Sequence, residues 1–286
     1  MVNDLTLERV SLHCTFHCNL QCEKCCVRAV EYIKKYNPDL AFIQKQIDEI
    51  FRLADKINYF AVEGGEPLLY KEFTDVIRYI FKYADKIGVE MPVVTNGSII
   101  PSDELIESLA LFGDKAHVII DYYGADYSPK AKDIVTALDN RNVRYTVKDY
   151  SENLYCGGWI DLYGNYELKH NLEDSKKLYD KCAWAQKLKG VLEIMGGMVF
   201  FCPSSRMFRE RGIDTSDGYI DMLDESTTLE QKREIVRGWY SVDSFNACMY
   251  CNGIHDESER FKPAIQLTEE QLKLVCTNEF KYRERL

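Results

Sequence analysis

Near its beginning the chain reads Cys18-Asn19-Leu20-Gln21-Cys22-Glu23-Lys24-Cys25, three thiols in a C-x3-C-x2-C spacing. Three thiolates on one short loop can hold three irons of a [4Fe–4S] cube, whereas a closed cube takes four protein ligands. The missing fourth leaves one iron open to an external ligand, and an open position separates a reactive metal centre from a structural one. Read alone, the run also permits zinc, with Cys14 or Cys26 closing a four-ligand site.

What flanks the run sets the fold. Leu7 to Cys14 alternates as a strand, so the cysteine loop follows a first strand. Leu40 to Ile57 carries a helical apolar face, and Asn58 to Glu63 is a short strand stopped by Gly64-Gly65. A helix over Phe73 to Ala84 and a strand over Val89 to Thr95 come next. A helix then starts at Pro101-Ser102-Asp103-Glu104, and a strand spans Lys115 to Tyr122. Ser128-Pro129 opens another helix, and Val143 to Asp149 is a fifth strand. This alternation predicts an α/β fold: a partial (β/α) TIM-like barrel of five to six units. The loops after the strands then lie at the C-terminal face, where such barrels build their active sites. Residues from Ser151 to Asp180, rich in Tyr, Gly and Asn, read as loops near that face.

Three further elements join the cysteine run in a recognisable set. The second strand ends in Glu63-Gly64-Gly65-Glu66-Pro67, the third in Thr95-Asn96-Gly97-Ser98, and the fourth in Ile120-Asp121-Tyr122. Together they resemble the radical S-adenosylmethionine (SAM) superfamily. The resemblance implies that Cys18, Cys22 and Cys25 hold a [4Fe–4S] cluster whose open iron binds SAM. Reductive cleavage of SAM then gives methionine and a 5′-deoxyadenosyl radical that takes hydrogen from substrate. It also implies that Glu66 receives the methionyl ammonium, that Gly64 and Gly65 make backbone contacts, and that Thr95, Asn96 and Asp121 face the cofactor or substrate. The sequence departs at Lys24, where relatives often carry an aromatic residue. Turn chemistry and loop capping are the plainer readings of the same glycines and polar residues.

A second group lies in the C-terminal third: Cys182, Cys202, Cys248 and Cys251. Val191 to Ile194 and Met198 to Cys202 flank Gly196-Gly197 as a hairpin, and a helix follows from Thr228 to Val242. The pattern resembles the twitch domain, a shortened SPASM domain, and implies one auxiliary [4Fe–4S] cluster ligated by all four cysteines. A four-cysteine zinc ribbon is the alternative. Two units are expected: residues 1–180 as the radical SAM partial barrel, and 181–286 as the auxiliary iron–sulfur domain. The spacing is similar to that of the radical SAM dehydrogenase class of butirosin biosynthesis, which oxidises an aminocyclitol alcohol. That implies dehydrogenation of a sugar- or cyclitol-like alcohol with the auxiliary cluster as electron acceptor. Epimerisation is an alternative, with Cys156 of the Cys156-Gly157-Gly158-Trp159 loop donating hydrogen. Modification of a ribosomal peptide is another, disfavoured because the barrel begins almost at once.

Composition narrows the partners. The 286 residues are 46% hydrophobic and 29% charged, with a net charge of -10. Such a surface repels polyphosphate, which argues against nucleic acid. No run has the length of a membrane span, and Met1-Val2-Asn3-Asp4 has no leader character. A cytoplasmic location is therefore expected, where eleven cysteines in clustered spacings favour metal ligation over disulfides. Cys14 and Cys276 read as small buried hydrophobes and Cys26 stays unassigned. The expected partners are a small-molecule substrate and a flavodoxin- or ferredoxin-type reductant.

Overall fold

Alternation in β1 (Thr6–His13) splits its side chains between two faces. Val10 and Leu12 join the main core with Ile43, Ile47 and Ile50 of α1 (Leu40–Leu53), and Arg9, Ser11 and His13 project to the opposite face. The computed structural model describes residues 4–213 and 216–279. Residues 1–3, which open the segment read for a leader, and 280–286, which close the expected C-terminal unit, lie outside them.

After β2 (Tyr32–Lys34), strands and helices alternate. The order is α1, β3 (Lys56–Glu63), α2 (Phe73–Ile80), β4 (Ile87–Thr95), α3 (Asp103–Ala110), β5 (Ala116–Tyr122), α4 (Ala131–Asp139) and β6 (Tyr145–Asp149). Side-chain caps start α1 and α3: Asp39 accepts from Phe42 N at 2.8 Å and Ser102 from Leu105 N at 3.2 Å. A short irregular turn, α5 (Leu154–Gly157), leads to α6 (Leu172–Lys181) and α7 (Ala183–Gln186). Then come β7 (Leu192–Met195), β8 (Met198–Phe200), α8 (Pro203–Glu210), β9 (Tyr219–Asp221), α9 (Leu229–Gly238), α10 (Glu269–Val275) and β10 (Asn278–Glu279).

One sheet runs in the order β6-β5-β4-β3-β1-β7-β8-β9. The six strands from β6 to β7 are parallel, and β8 and β9 return antiparallel. This parallel-dominated α/β sheet is the expected partial TIM-like architecture. The 196–197 hairpin also forms as expected, and it extends the barrel sheet from the free edge of β1. Among the described residues no helix is long and apolar enough to cross a membrane.

Several boundaries differ from expectation. The helix from Leu40 stops at Leu53, and Ile57 is buried from β3 instead; apolar residues at 54 and 57 suit both periods. The 228–242 helix ends at Gly238 and continues as a single turn of 3-10 helix over Trp239–Ser241. The segment from 151 to 180, read as loops, contains α6.

Candidate functional site

Strand direction brings the expected residues to one end of the sheet. Cys18, Cys22 and Cys25 lie on the loop after β1, Glu66 follows β3, Thr95 and Asn96 end β4, and Asp121 lies near the end of β5. Asn96 Nδ2 donates to Asn19 Oδ1 at 2.9 Å and approaches Cys18 Sγ at 3.8 Å, joining two of these loops. Leu20 N lies 3.4 Å from Cys18 Sγ, and Gln266 Nε2 lies 3.2 Å from Cys22 Sγ. Burial pushes the Cys18 thiol up to about 11, while a hydrogen bond from Cys26 and the backbone N–H groups of Val27 and Arg28 hold Cys25 at about 7. The loop thus offers three neighbouring soft donors with N–H groups aimed at sulfur, a set that fits an iron–sulfur cluster.

Glu66 is fully buried. It accepts from Thr95 Oγ1 at 2.9 Å, Asn96 N at 2.8 Å and Leu68 N at 3.2 Å. Burial pushes its carboxyl up to about 7 against these bonds, which favour the anion. Gly64 and Gly65 have a further reason to be glycine. A Cβ on Gly64 would stand 2.2 Å from the Thr15 carbonyl oxygen, and one on Gly65 2.3 Å from that of His17. The close approach belongs to the chain's own backbone, which Gly65 N and Glu66 N bond at 2.7 and 2.8 Å.

Asp121 Oδ1 is buried without a hydrogen-bond partner, and Oδ2 lies 3.4 Å from the Tyr123 hydroxyl. Burial pushes this carboxyl up to about 6. Tyr123 packs against Tyr150 and Trp159 at centroid distances of 5.2 and 5.6 Å, an aromatic wall next to the acid.

The second cysteine group also converges. Cys182, Cys202, Cys248 and Cys251 line one pocket with Tyr179, Phe201, Phe245 and Ile254. Ser204 Oγ and Gly253 N each lie 3.2 Å from Cys251 Sγ. Burial pushes the Cys202 thiol up to about 12 and raises Cys248 and Cys251 as well. Four soft donors converging in an apolar pocket fit a thiolate-ligated metal centre. A single zinc ion would hold four sulfurs about 3.8 Å apart, given its ~2.3 Å Zn–S bonds. Among the described residues the metal-ligating set gathered within 4.8 Å is His13, Glu63 and Glu193, not either cysteine group. Cys14, one possible zinc-closing ligand, is buried in the apolar core behind β1.

The model of the Radical SAM superfamily matches residues 12–156. The chain belongs to the radical SAM superfamily. Membership implies a SAM-binding [4Fe–4S] cluster and SAM itself. No curated protein matches the sequence. Among solved structures, BtrN in complex with AdoMet and 2-DOIA aligns with a TM-score of 0.49 at 15% identity, over 91% of this chain and 99% of that one. Native anSMEcpe with bound AdoMet aligns at 0.49 and 14%, over 94% and 95%. Streptococcus suis SuiB bound to S-adenosylmethionine aligns at 0.39 and 14%, over 52% of this chain and 36% of SuiB, so the chain spans about a third of that protein's length.

Two features of this radical SAM site escaped the sequence. The segment 264–267 straps the cysteine loop: Glu23 N donates to Ile265 O and Leu267 N to Gln21 O, both at 2.9 Å. Asp161 accepts from Lys24 Nζ at 3.0 Å and Arg28 Nη2 at 2.6 Å. Neither lies in a motif, and only the Lys24 departure gave a hint. Cys156 is exposed, in a run of positive φ from Leu154 to Gly158, and is not drawn into either cysteine group.

Proposed function

We propose that this radical SAM enzyme removes hydrogen from a small hydroxylated substrate, a sugar, cyclitol or similar alcohol, and oxidises it. The observation that carries this reading is the pocket in which Cys182, Cys202, Cys248 and Cys251 converge. In this reading Cys18, Cys22 and Cys25 hold the SAM-binding cluster, and the four later cysteines hold an auxiliary one within a unit from residue 181 onward. A cluster on the first group would supply the electron that cleaves SAM, and one on the second would take the electron that the substrate radical gives up as its hydroxyl proton passes to solvent.

The remaining roles belong to the chain. A carboxylate has about four lone-pair sites. Glu66 fills three with Thr95, Asn96 and Leu68, which leaves it fixed in place with one acceptor site for the SAM ammonium. Asn96 orders Asn19 beside Cys18. Asp121 holds an unpaired oxygen at the mouth for a hydroxyl donor, and Tyr123, Tyr150 and Trp159 give a ring an apolar face to rest on. The low-potential electron would come from a flavodoxin- or ferredoxin-type reductant in the cytoplasm.

The test is anaerobic reconstitution with iron and sulfide, then incubation with dithionite, SAM and candidate alcohols. Cys18→Ala, Cys22→Ala and Cys25→Ala should each abolish 5′-deoxyadenosine. Cys248→Ala should retain some cleavage and lose the oxidised product. Iron-loaded protein that forms no 5′-deoxyadenosine sinks the reading, as does unchanged product from Cys248→Ala. Solvent deuterium entering the product would move the assignment to epimerisation.

A further inference from the structure

The inner face of the sheet holds a polar cluster that the reading above leaves unused. His13 ends β1, and Glu63 ends β3 directly opposite it. Glu193 on β7 pairs with Ser11, which puts it on the same face as His13. His13 Nε2 lies 3.2 Å from Glu193 Oε1 and 4.0 Å from Glu63 Oε1. One donor atom from each residue falls within 4.8 Å of the other two.

The surroundings favour an ion. His13 is 0% exposed, and neither ring nitrogen meets hydrogen-bond geometry. A buried polar group without a hydrogen bond is destabilising, and native proteins resolve such cases with a partner, a water or an ion. Glu193 is held from behind by Arg206 Nε, 2.6 Å from Oε2, so Oε1 is the atom turned toward His13. Glu63 keeps 28% of its side chain accessible, which leaves a way in from the mouth. Two carboxylates against one guanidinium leave the cluster negative when the imidazole is neutral.

We propose that His13, Glu63 and Glu193 bind a divalent transition-metal ion, separate from both cysteine groups. One imidazole with two carboxylates suits Mn²⁺, Fe²⁺ or Zn²⁺ better than the oxygen-only preferences of Ca²⁺ or Mg²⁺. Three ligands from adjacent strands leave coordination positions for an oxygen-bearing ligand. That this ligand is the substrate rests on the proposed function; the metal site does not.

The test titrates reconstituted protein, clusters oxidised, with Mn²⁺ alone and reads the free aqua ion by EPR. One equivalent should bind saturably. Glu63→Gln and His13→Asn should each weaken binding by about tenfold or more, with iron content and melting recorded on the same samples. The wild-type protein settles the point even where a variant folds poorly. No saturable binding by wild type up to ~1 mM overturns the site, as does equal binding by both folded variants. A sample that binds Mn²⁺ in this residue-dependent way yet forms no 5′-deoxyadenosine upholds the metal site and sinks the proposed function alone.

Discussion

Asp161 Oδ1 lies 2.6 Å from Nη2 of Arg28, and this pair ties the loop of Cys25 to the segment of Cys251. The other carboxylate oxygen takes Lys24 at 3.0 Å. The Asp161 carbonyl accepts from Asn252 Nδ2 at 2.7 Å, and Asn252 N donates to Leu162 O at 2.9 Å. Burial raises the Asp161 carboxyl, but Arg28 and Lys24 hold it below the usual carboxylate range. The two cysteine groups therefore share one buried anchor. Asp161→Asn leaves Arg28 buried with a weakened partner set, and breaking such a pair costs about 3–5 kcal/mol. Lys24→Ala removes a more accessible ion pair and should cost about 1 kcal/mol or less. Denaturant midpoints and iron per chain check both; equal losses would refute the anchor.

Gly64→Ala and Gly65→Ala should each destabilise the protein by about 3 kcal/mol, the upper end for overpacking, because the new methyl meets backbone oxygen that cannot rotate away. The loss should be the same with and without SAM. A loss that appears only as weaker SAM binding would mean that cofactor approach, not the crossing of residues 15–17, demands glycine.

What the sequence disclosed and withheld follows from the range of each interaction. The grouping of Cys18, Cys22 and Cys25 after β1 was legible because the three stand close together in sequence on one loop. The barrel was legible because Val10 with Leu12, and Ile43 with Ile47, keep the periods of strand and helix. Helix α8 was not, because nearly all of it is buried: Ser204, Ser205, Arg206 and Glu210 lie inside along with Met207 and Phe208, so no apolar stripe stands against a polar face. Asp161 and Gln266 were invisible for a different reason: their partners lie 133 and 244 residues away. No local pattern records such a contact.

Acid should unfold the protein partly through Glu193. Burial raises its carboxyl, but Arg206 and His13 outweigh that and hold it at about 2, below its ordinary 4.5. A depressed carboxyl adds stability that is fully present above pH 4.5 and is lost as pH falls from there toward 2. The contribution is on the order of 3 kcal/mol. Arg206→Met removes the main charge that keeps Glu193 ionised. Its stability should be lower at pH 7 and should fall less between pH 4.5 and 3 than that of the parent. Denaturant melts of the apoprotein across that range give the slopes, and parallel slopes would contradict the assignment.

Gln266 reaches the cysteine loop from the far end of the chain, and its side-chain amide donates to Cys22 Sγ at 3.2 Å. Its Oε1 accepts from Gln21 N at 2.6 Å, so the amide orientation is fixed from both sides. Hydrogen bonds to ligand sulfur stabilise the more negative, reduced state and raise a cluster's potential. Gln266→Leu keeps the volume and removes the donor. Its SAM-site cluster should become harder to reduce, by on the order of tens of millivolts, with the four-cysteine site unchanged. EPR-monitored redox titration of this cluster, and of the proposed auxiliary one, reads this directly. A shift in both would indicate general loosening of the strap, and no shift would show that the amide serves only to hold residues 264–267 against the loop.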